Sequence, residues 1–171
     1  MAKWPWVERG FSFDYPVGKY PDIVERFRGL PARVEDRVRG LTREQLTFSD
    51  GGWSIQQNVG HLLQLEPLFD GRLDDFLAGV TPLRAADMSN RATNEANYNE
   101  WDIERLCLDL RTERLAQVER LNALSQSDFA RESAHPRLNI KMRLVDAVAF
   151  VCEHDDYHMA RIAELTRKTR S

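Results

Sequence analysis

The chain is poor in the features that usually announce a role. Its 171 residues hold two cysteines, Cys107 and Cys152, with no Cys-x-x-Cys pair. They fall on separate predicted helices and read as small buried apolar residues, not as a disulfide. No apolar run approaches 18 residues, and Met1-Ala2-Lys3-Trp4-Pro5-Trp6 lacks the apolar core of a signal peptide. A membrane span is therefore not expected, and the cytoplasm is the expected compartment. An excess of one charge is also missing. The 24 Lys and Arg are interspersed with 27 Asp and Glu, leaving a net charge of −3. That balance provides no field for nucleic acid or an anionic membrane. No window alternates with period two for long enough to make a strand, and no P-loop, dinucleotide fingerprint or nucleophile elbow is present. No repeat, low-complexity tract or linker divides the chain, so one domain over residues 1–171 is expected.

What is present is helical periodicity with clear starts. Residues 1–20 are dense in aromatics, including Trp4, Trp6, Phe11, Phe13, Tyr15 and Tyr20, and read as an extended arm packed on the body. A first helix is predicted over 21–39, with Ile23, Phe27, Leu30, Val34 and Val38 on one face and Pro31 kinking or dividing it. Thr42-Arg43-Glu44-Gln45 and Ser54-Ile55-Gln56-Gln57 are capping boxes, the second opening a helix over 55–79. Its buried stripe is Ile55, Val59, Leu62, Leu65 or Glu66, Phe69, Leu73 and Phe76, and Pro67 should bend it. A polar crossover follows over 80–101. Asp102 caps a third helix, 125–139 forms a loop with at most one helical turn, and the fourth helix ends near 168. Four long helices around one core, with short connecting helices, make an all-α four-helix bundle.

The fourth helix carries Leu144, Ala147, Val151, His154, His158, Ile162 and Leu165 on its inward stripe. Residues four apart stack on one face, so His154 and His158 can reach one ion. His61 borders the buried stripe of the second helix, on the side of Leu65 and Leu68. Zinc or nickel on three imidazoles keeps an open position for water or substrate, and bound water then ionises near neutral pH. The alternative is that His61 is an ordinary hydrogen-bonded side chain and the pair on the fourth helix an accident of composition. Asp155 is a candidate base or ligand-orienting group, Gln57 a candidate partner for the free nitrogen of His61, and His135 a candidate lining residue. The open position should face a cleft at one end of the bundle, bordered by Asn94 or Tyr98. His154-Asp155-Asp156-Tyr157-His158 departs from the zinc-protease pattern His-Glu-x-x-His, and the paired Glu-x-x-His elements of di-iron bundles are missing.

Taken together, three segments resemble the DinB/YfiT-like superfamily. They are Gly52-Trp53-Ser54-Ile55 leading into Asn58-Val59-Gly60-His61-Leu62-Leu63, the loop His135-Pro136-Arg137-Leu138, and Phe150-Val151-Cys152-Glu153-His154-Asp155-Asp156-Tyr157-His158-Met159-Ala160-Arg161-Ile162. The resemblance implies an up-down-down-up bundle, often dimeric, with His61, His154 and His158 binding one zinc or nickel ion per chain. It also implies chemistry on a small-molecule substrate. Relatives include thiol S-transferases that use bacillithiol or mycothiol as cosubstrate and a mycothiol-dependent maleylpyruvate isomerase. Other members, without a known substrate, are labelled metal-dependent hydrolases, so hydrolysis by metal-bound hydroxide is the second expectation. A stress or detoxification role, or a non-catalytic metal- or ligand-binding protein, are the further expectations, and no DNA chemistry is implied.

Overall fold

A computed structural model describes residues 5–138 and 140–170. Trp4, assigned to the aromatic arm, lies outside the described residues. The first predicted helix is two helices, α1 (Tyr20–Arg28) and α2 (Leu30–Val38), which meet at Gly29. Pro31 sits in the first turn of α2, where its missing N–H leaves no bond unmade, so it starts a helix. The short α3 (Arg43–Thr47) and the long α4 (Ile55–Ala78) begin with reciprocal capping boxes. Thr42 and Ser54 accept from the N–H groups of Gln45 and Gln57, whose side chains accept from the cap N–H groups in return. α4 runs through Pro67 and stops at Gly79, whose positive φ of 70° suits glycine. The crossover carries α5 (Arg91–Glu95). Asp102 then caps α6 (Ile103–Asn122) by accepting from the Arg105 N–H.

After α7 (Gln126–Phe129), β1 (Glu132–Ala134) pairs antiparallel with β2 (Lys141–Arg143), which leads directly into α8 (Leu144–Thr169). This ribbon corrects the expectation of a plain loop before the last helix. Three residues per strand are too few to show a period-two pattern. Distant groups hold it instead: the Leu83 N–H donates to the Ala134 carbonyl and the Ser133 hydroxyl to the Val80 carbonyl.

The bundle is connected up-down-down-up, so α4 and α6 run the same way and the crossover must travel the length of the bundle. α4 and the α1–α2 unit each pack against both α6 and α8. Two apolar clusters result. One gathers Phe27, Phe76, Leu121, Phe129, Val145 and Phe150, and the other Leu30, Val34, Ile55, Leu62, Leu110 and Ile162. Between them, at mid-height, α4, α6 and α8 all present polar side chains: Glu66, Arg114 and Asp155 toward the core, and His61, His154 and His158 toward a groove. The arm closes over α8. Trp6, Phe11, Phe13 and Tyr15 pack on the first cluster, and the Arg143 guanidinium donates to the Tyr15 carbonyl at 2.8 Å. Among the described residues, no helix is long and apolar enough to cross a membrane.

Candidate metal centre

His61 lies in the second turn of α4, and His154 and His158 lie on successive turns of α8, against which α4 packs. One ring nitrogen from each falls within 4.8 Å of the others, and the Nε2 atoms of His154 and His158 are 3.2 Å apart. All three side chains are buried, and burial pushes the pKa of His61 down to about 4. A neutral imidazole with a free lone pair is the form a metal takes.

Neighbouring groups set that form. The Asn58 amide nitrogen donates to the carbonyls of Trp53 and Ser54 at 3.2 and 2.7 Å, which turns its oxygen toward His158. That oxygen can only accept, so His158 Nδ1, 2.8 Å away, must carry the proton and Nε2 the lone pair. His61 Nδ1 lies 3.0 Å from the Thr93 hydroxyl, the corresponding partner on the second ligand. The Trp53 ring packs on both, with centroids 4.6 Å from His61 and 6.2 Å from His158. Nitrogens held about 2.1 Å from one tetrahedral ion lie about 3.4 Å from one another. The observed separations, from 3.2 Å up to 4.8 Å, bracket that value, and side-chain shifts on the order of 1 Å would meet it, so the residues present fit a divalent transition metal.

The supporting residues expected from the sequence fare differently. Asp155 is not at the site. Its side chain is fully buried on the core side of α8, with Oδ2 accepting from Arg114 Nη1 at 2.7 Å, so neither a base nor an orienting role fits it. Gln57 serves the Ser54 cap and does not reach His61. Tyr98 packs its ring on Gly60, where a Cβ would come within 2.3 Å of it, and donates its hydroxyl to Gln64 at 3.1 Å. It thereby holds the crossover against α4 and does not border the groove. Asn94 accepts from the Trp53 indole N–H and likewise lies outside the lining. His135 does line the groove. Asn58 and Thr93 escape sequence reasoning because their partners come from other elements. The one local hint was Asn58 in the turn before His61.

The three histidines open onto a cavity of about 720 Å³ that runs along α4 and α8. The expected cleft at a bundle end is replaced by this lateral groove, because the arm, the crossover and the turn after β1 all fold over the same side. Trp6, Trp53, Phe69, Phe150 and Tyr157 supply aromatic walls, and Trp6 meets His154 edge-on at 5.2 Å.

Comparison with known proteins agrees with this arrangement. "Putative metal-dependent hydrolase YfiT" of Bacillus subtilis is 23% identical, over 92% of this chain and 96% of its own. A Geobacillus kaustophilus relative with the same description is 26% identical over 90% of this chain and 88% of its own. The solved structure of YfiT, described as an unusual four-helix bundle topology, superposes with a TM-score of 0.82 at 23% identity, covering 95% of this chain and 94% of that one. The DinB superfamily model matches residues 26–162, a span that reaches from α1 into α8 and contains all three histidines. On that match the chain belongs to the DinB superfamily.

Proposed function

We propose that this protein is a metal-dependent transferase that joins a low-molecular-weight thiol, of the bacillithiol or mycothiol type, to an apolar electrophile. The observation that carries the reading is the state of the acids in the cavity. Among its described lining residues the carboxylates are Asp87 and Glu164. Asp87 accepts from Ser89 and the Arg91 N–H, and Glu164 is paired with Arg161 and Lys168. Hydrolysis is helped by a base that takes a proton from water. A thiol ionises near pH 8.5 unaided and needs only a nearby cation to become thiolate at neutral pH. Zinc or nickel on His61, His154 and His158 would supply that positive charge and lower the pKa of a bound thiol or water.

The chain's own residues do the rest. Asn58 holds His158 in the ligating tautomer and orientation, and Thr93 orients the His61 ring. Trp6, Phe69 and Phe150 exclude water and offer an apolar bed for the electrophile. In the transfer the thiol proton leaves to solvent, sulfur forms the new S–C bond, and the leaving group departs with the electron pair of the bond that breaks. Hydrolysis is the second reading, favoured by the names the relatives carry. The test uses protein stripped by a chelator and reloaded with one equivalent of zinc or nickel, then mixed with a thiol and monochlorobimane. Conjugate formation that needs metal, thiol and His61 supports the transferase. Thiol-independent ester hydrolysis without conjugation replaces it with the hydrolase.

A further inference from the structure

Away from the histidines, the cavity ends on two polar side chains that have no assigned purpose. We infer that Arg72 and His135 form a carboxylate-binding pocket, so that the ligand of this site is an organic acid with an apolar middle. The inference deepens the reading of the groove as a substrate site and rests on it.

Arg72, on α4, is only 9% exposed and lines the cavity. Its Nε donates to the Arg84 carbonyl at 3.0 Å. Among the described residues it forms no ion pair, because Asp75, the nearby acid, is held by Arg84 through both carboxylate oxygens at 2.9 and 2.7 Å. Burial, with the nearby charge of Arg84, pulls the pKa of Arg72 down against the partial support of Asp75, which Arg84 already engages. A buried cation of this kind is costly for the fold unless something negative visits it.

His135 supplies a second donor. Its Nδ1 accepts the N–H groups of Arg137 and Leu138 at 3.2 and 3.1 Å, so the proton of the neutral ring sits on Nε2. The residue is 4% exposed and lines the cavity, and among the described residues its Nε2–H meets no acceptor. Burial first, then the charges of Arg72 and Arg137, hold its pKa down to about 4. Arg72 is tied to the Arg84 carbonyl, and the adjoining Leu83 N–H donates to the carbonyl of Ala134, the residue before His135, so both side chains reach the cavity from the same corner. Asp87, the crossover acid on this cavity, directs its oxygens to Ser89 and the Arg91 N–H, and among the described residues it forms no ion pair with Arg72.

A guanidinium beside a neutral N–H donor matches the two oxygens of a carboxylate. Rings connect this end to the histidines. His135 packs on Phe150 at 5.2 Å, Phe150 on Trp6 at 5.1 Å, and Trp6 on His154 at 5.2 Å. A ligand anchored by its carboxylate would lie along that aromatic wall with its other end at the three imidazoles.

The carboxylate can belong to the electrophile or to the thiol, and two arms of one experiment separate them. The full chain, metal-free and zinc-loaded, is titrated calorimetrically with a series from phenylacetate to 5-phenylpentanoate and with the matching primary amides. N-acetylcysteine and its amide form the thiol arm. At least one acid should bind the metal-free protein about tenfold more tightly than its amide. Arg72→Met should erase that preference while zinc stoichiometry and the circular dichroism spectrum stay unchanged. Should that variant not fold, His135→Phe serves, with a partial loss of the preference expected. Preference in the phenyl series assigns the carboxylate to the electrophile, and preference confined to N-acetylcysteine assigns it to the thiol. Equal binding of acid and amide, no saturable binding by any acid, or tighter binding of inorganic phosphate overturns the pocket. Because the first readout needs no metal, failure of zinc to bind would count against the metal reading alone.

Discussion

At mid-height of the bundle, α4 and α8 present polar side chains in two directions, and the two sets differ in how they are completed. Toward the core, every donor nitrogen of Arg114 is engaged. Nε and Nη2 reach Glu66, and Nη1 reaches Asp155 at 2.7 Å and the Phe27 carbonyl at 3.2 Å. Gln117 adds a bond to Glu66 at 2.7 Å, and the Phe27 ring lies 3.8 Å below the guanidinium. Toward the groove, three imidazoles of the same kind converge, with outer nitrogens fixed by Asn58 and Thr93 and inner nitrogens facing one another. The first set supplies its own cation and closes. The second gathers three neutral-type ligands on the wall of a cavity, a donor set that suits an added cation. Burial of polar groups alone does not mark a functional site; an arrangement that only an added ion would complete does.

Arg114→Met should break the closed side most severely. It leaves Glu66 and Asp155 buried without counter-charge and should lower stability by about 3–5 kcal/mol in urea titration at pH 7. Burial already pushes both carboxyls up, Glu66 to about 7. Their folded-state pKa values lie above the unfolded ones, so the loss should shrink as pH falls below about 7 and they take up protons. A loss under about 1 kcal/mol would mean that the two sides are alike.

On the open side, zinc at a hundred times its Kd should stabilise the protein by about 2.7 kcal/mol, and His61→Ala should abolish that gain. The metal-free variant should lose less stability than Leu62→Ala, for which about 2–5 kcal/mol is typical of a buried leucine. A metal-free protein unfolded by circular dichroism would make the ion structural. A smaller effect sharpens the role of the supporting residues. Asn58→Leu removes the acceptor of His158 Nδ1–H and should weaken zinc binding about 10–100-fold in competition with a chromophoric chelator, with little change in fold.

The smallest effect concerns His135. Protonation would break the two backbone bonds its Nδ1 accepts, and its folded pKa of about 4 lies below the unfolded 6.5. Stability from this group is complete above pH 6.5 and is lost as pH falls through 4. Between pH 6.5 and 5.5 the native protein should lose about 1 kcal/mol more than His135→Gln. Parallel curves would show that the His135 ring does not depend on those bonds.

The parts legible from sequence are those set by near neighbours. Thr42, Ser54 and Asp102 cap helices through bonds three residues away, and His154 with His158 share a face because they are four apart. Such contacts depend only on helix geometry, so composition and spacing determine them. Asp155 shows where that reasoning stops. It follows His154 by one residue, about 100° around the helix. α8 is covered on both sides at that level, so the single inward stripe read from periodicity holds His154 and misses the burial of Asp155. Arg114, which decides the matter for Asp155, is 41 residues away, and Asn58 is 100 residues from the histidine it orients. The pairing of Arg72 with His135 depends likewise on the turn after β1 folding over α4. By itself, then, the sequence determined the helices, their starts and the stacked pair His154 and His158, because those follow from local repeat geometry, while His61 joined that pair only through the family resemblance. Which buried polar groups would neutralise one another, and which would be left facing a cavity, was decided only by the order in which the helices pack. Electrostatic and hydrogen-bond partners are chosen by distance in space, and distance along the chain carries no record of it.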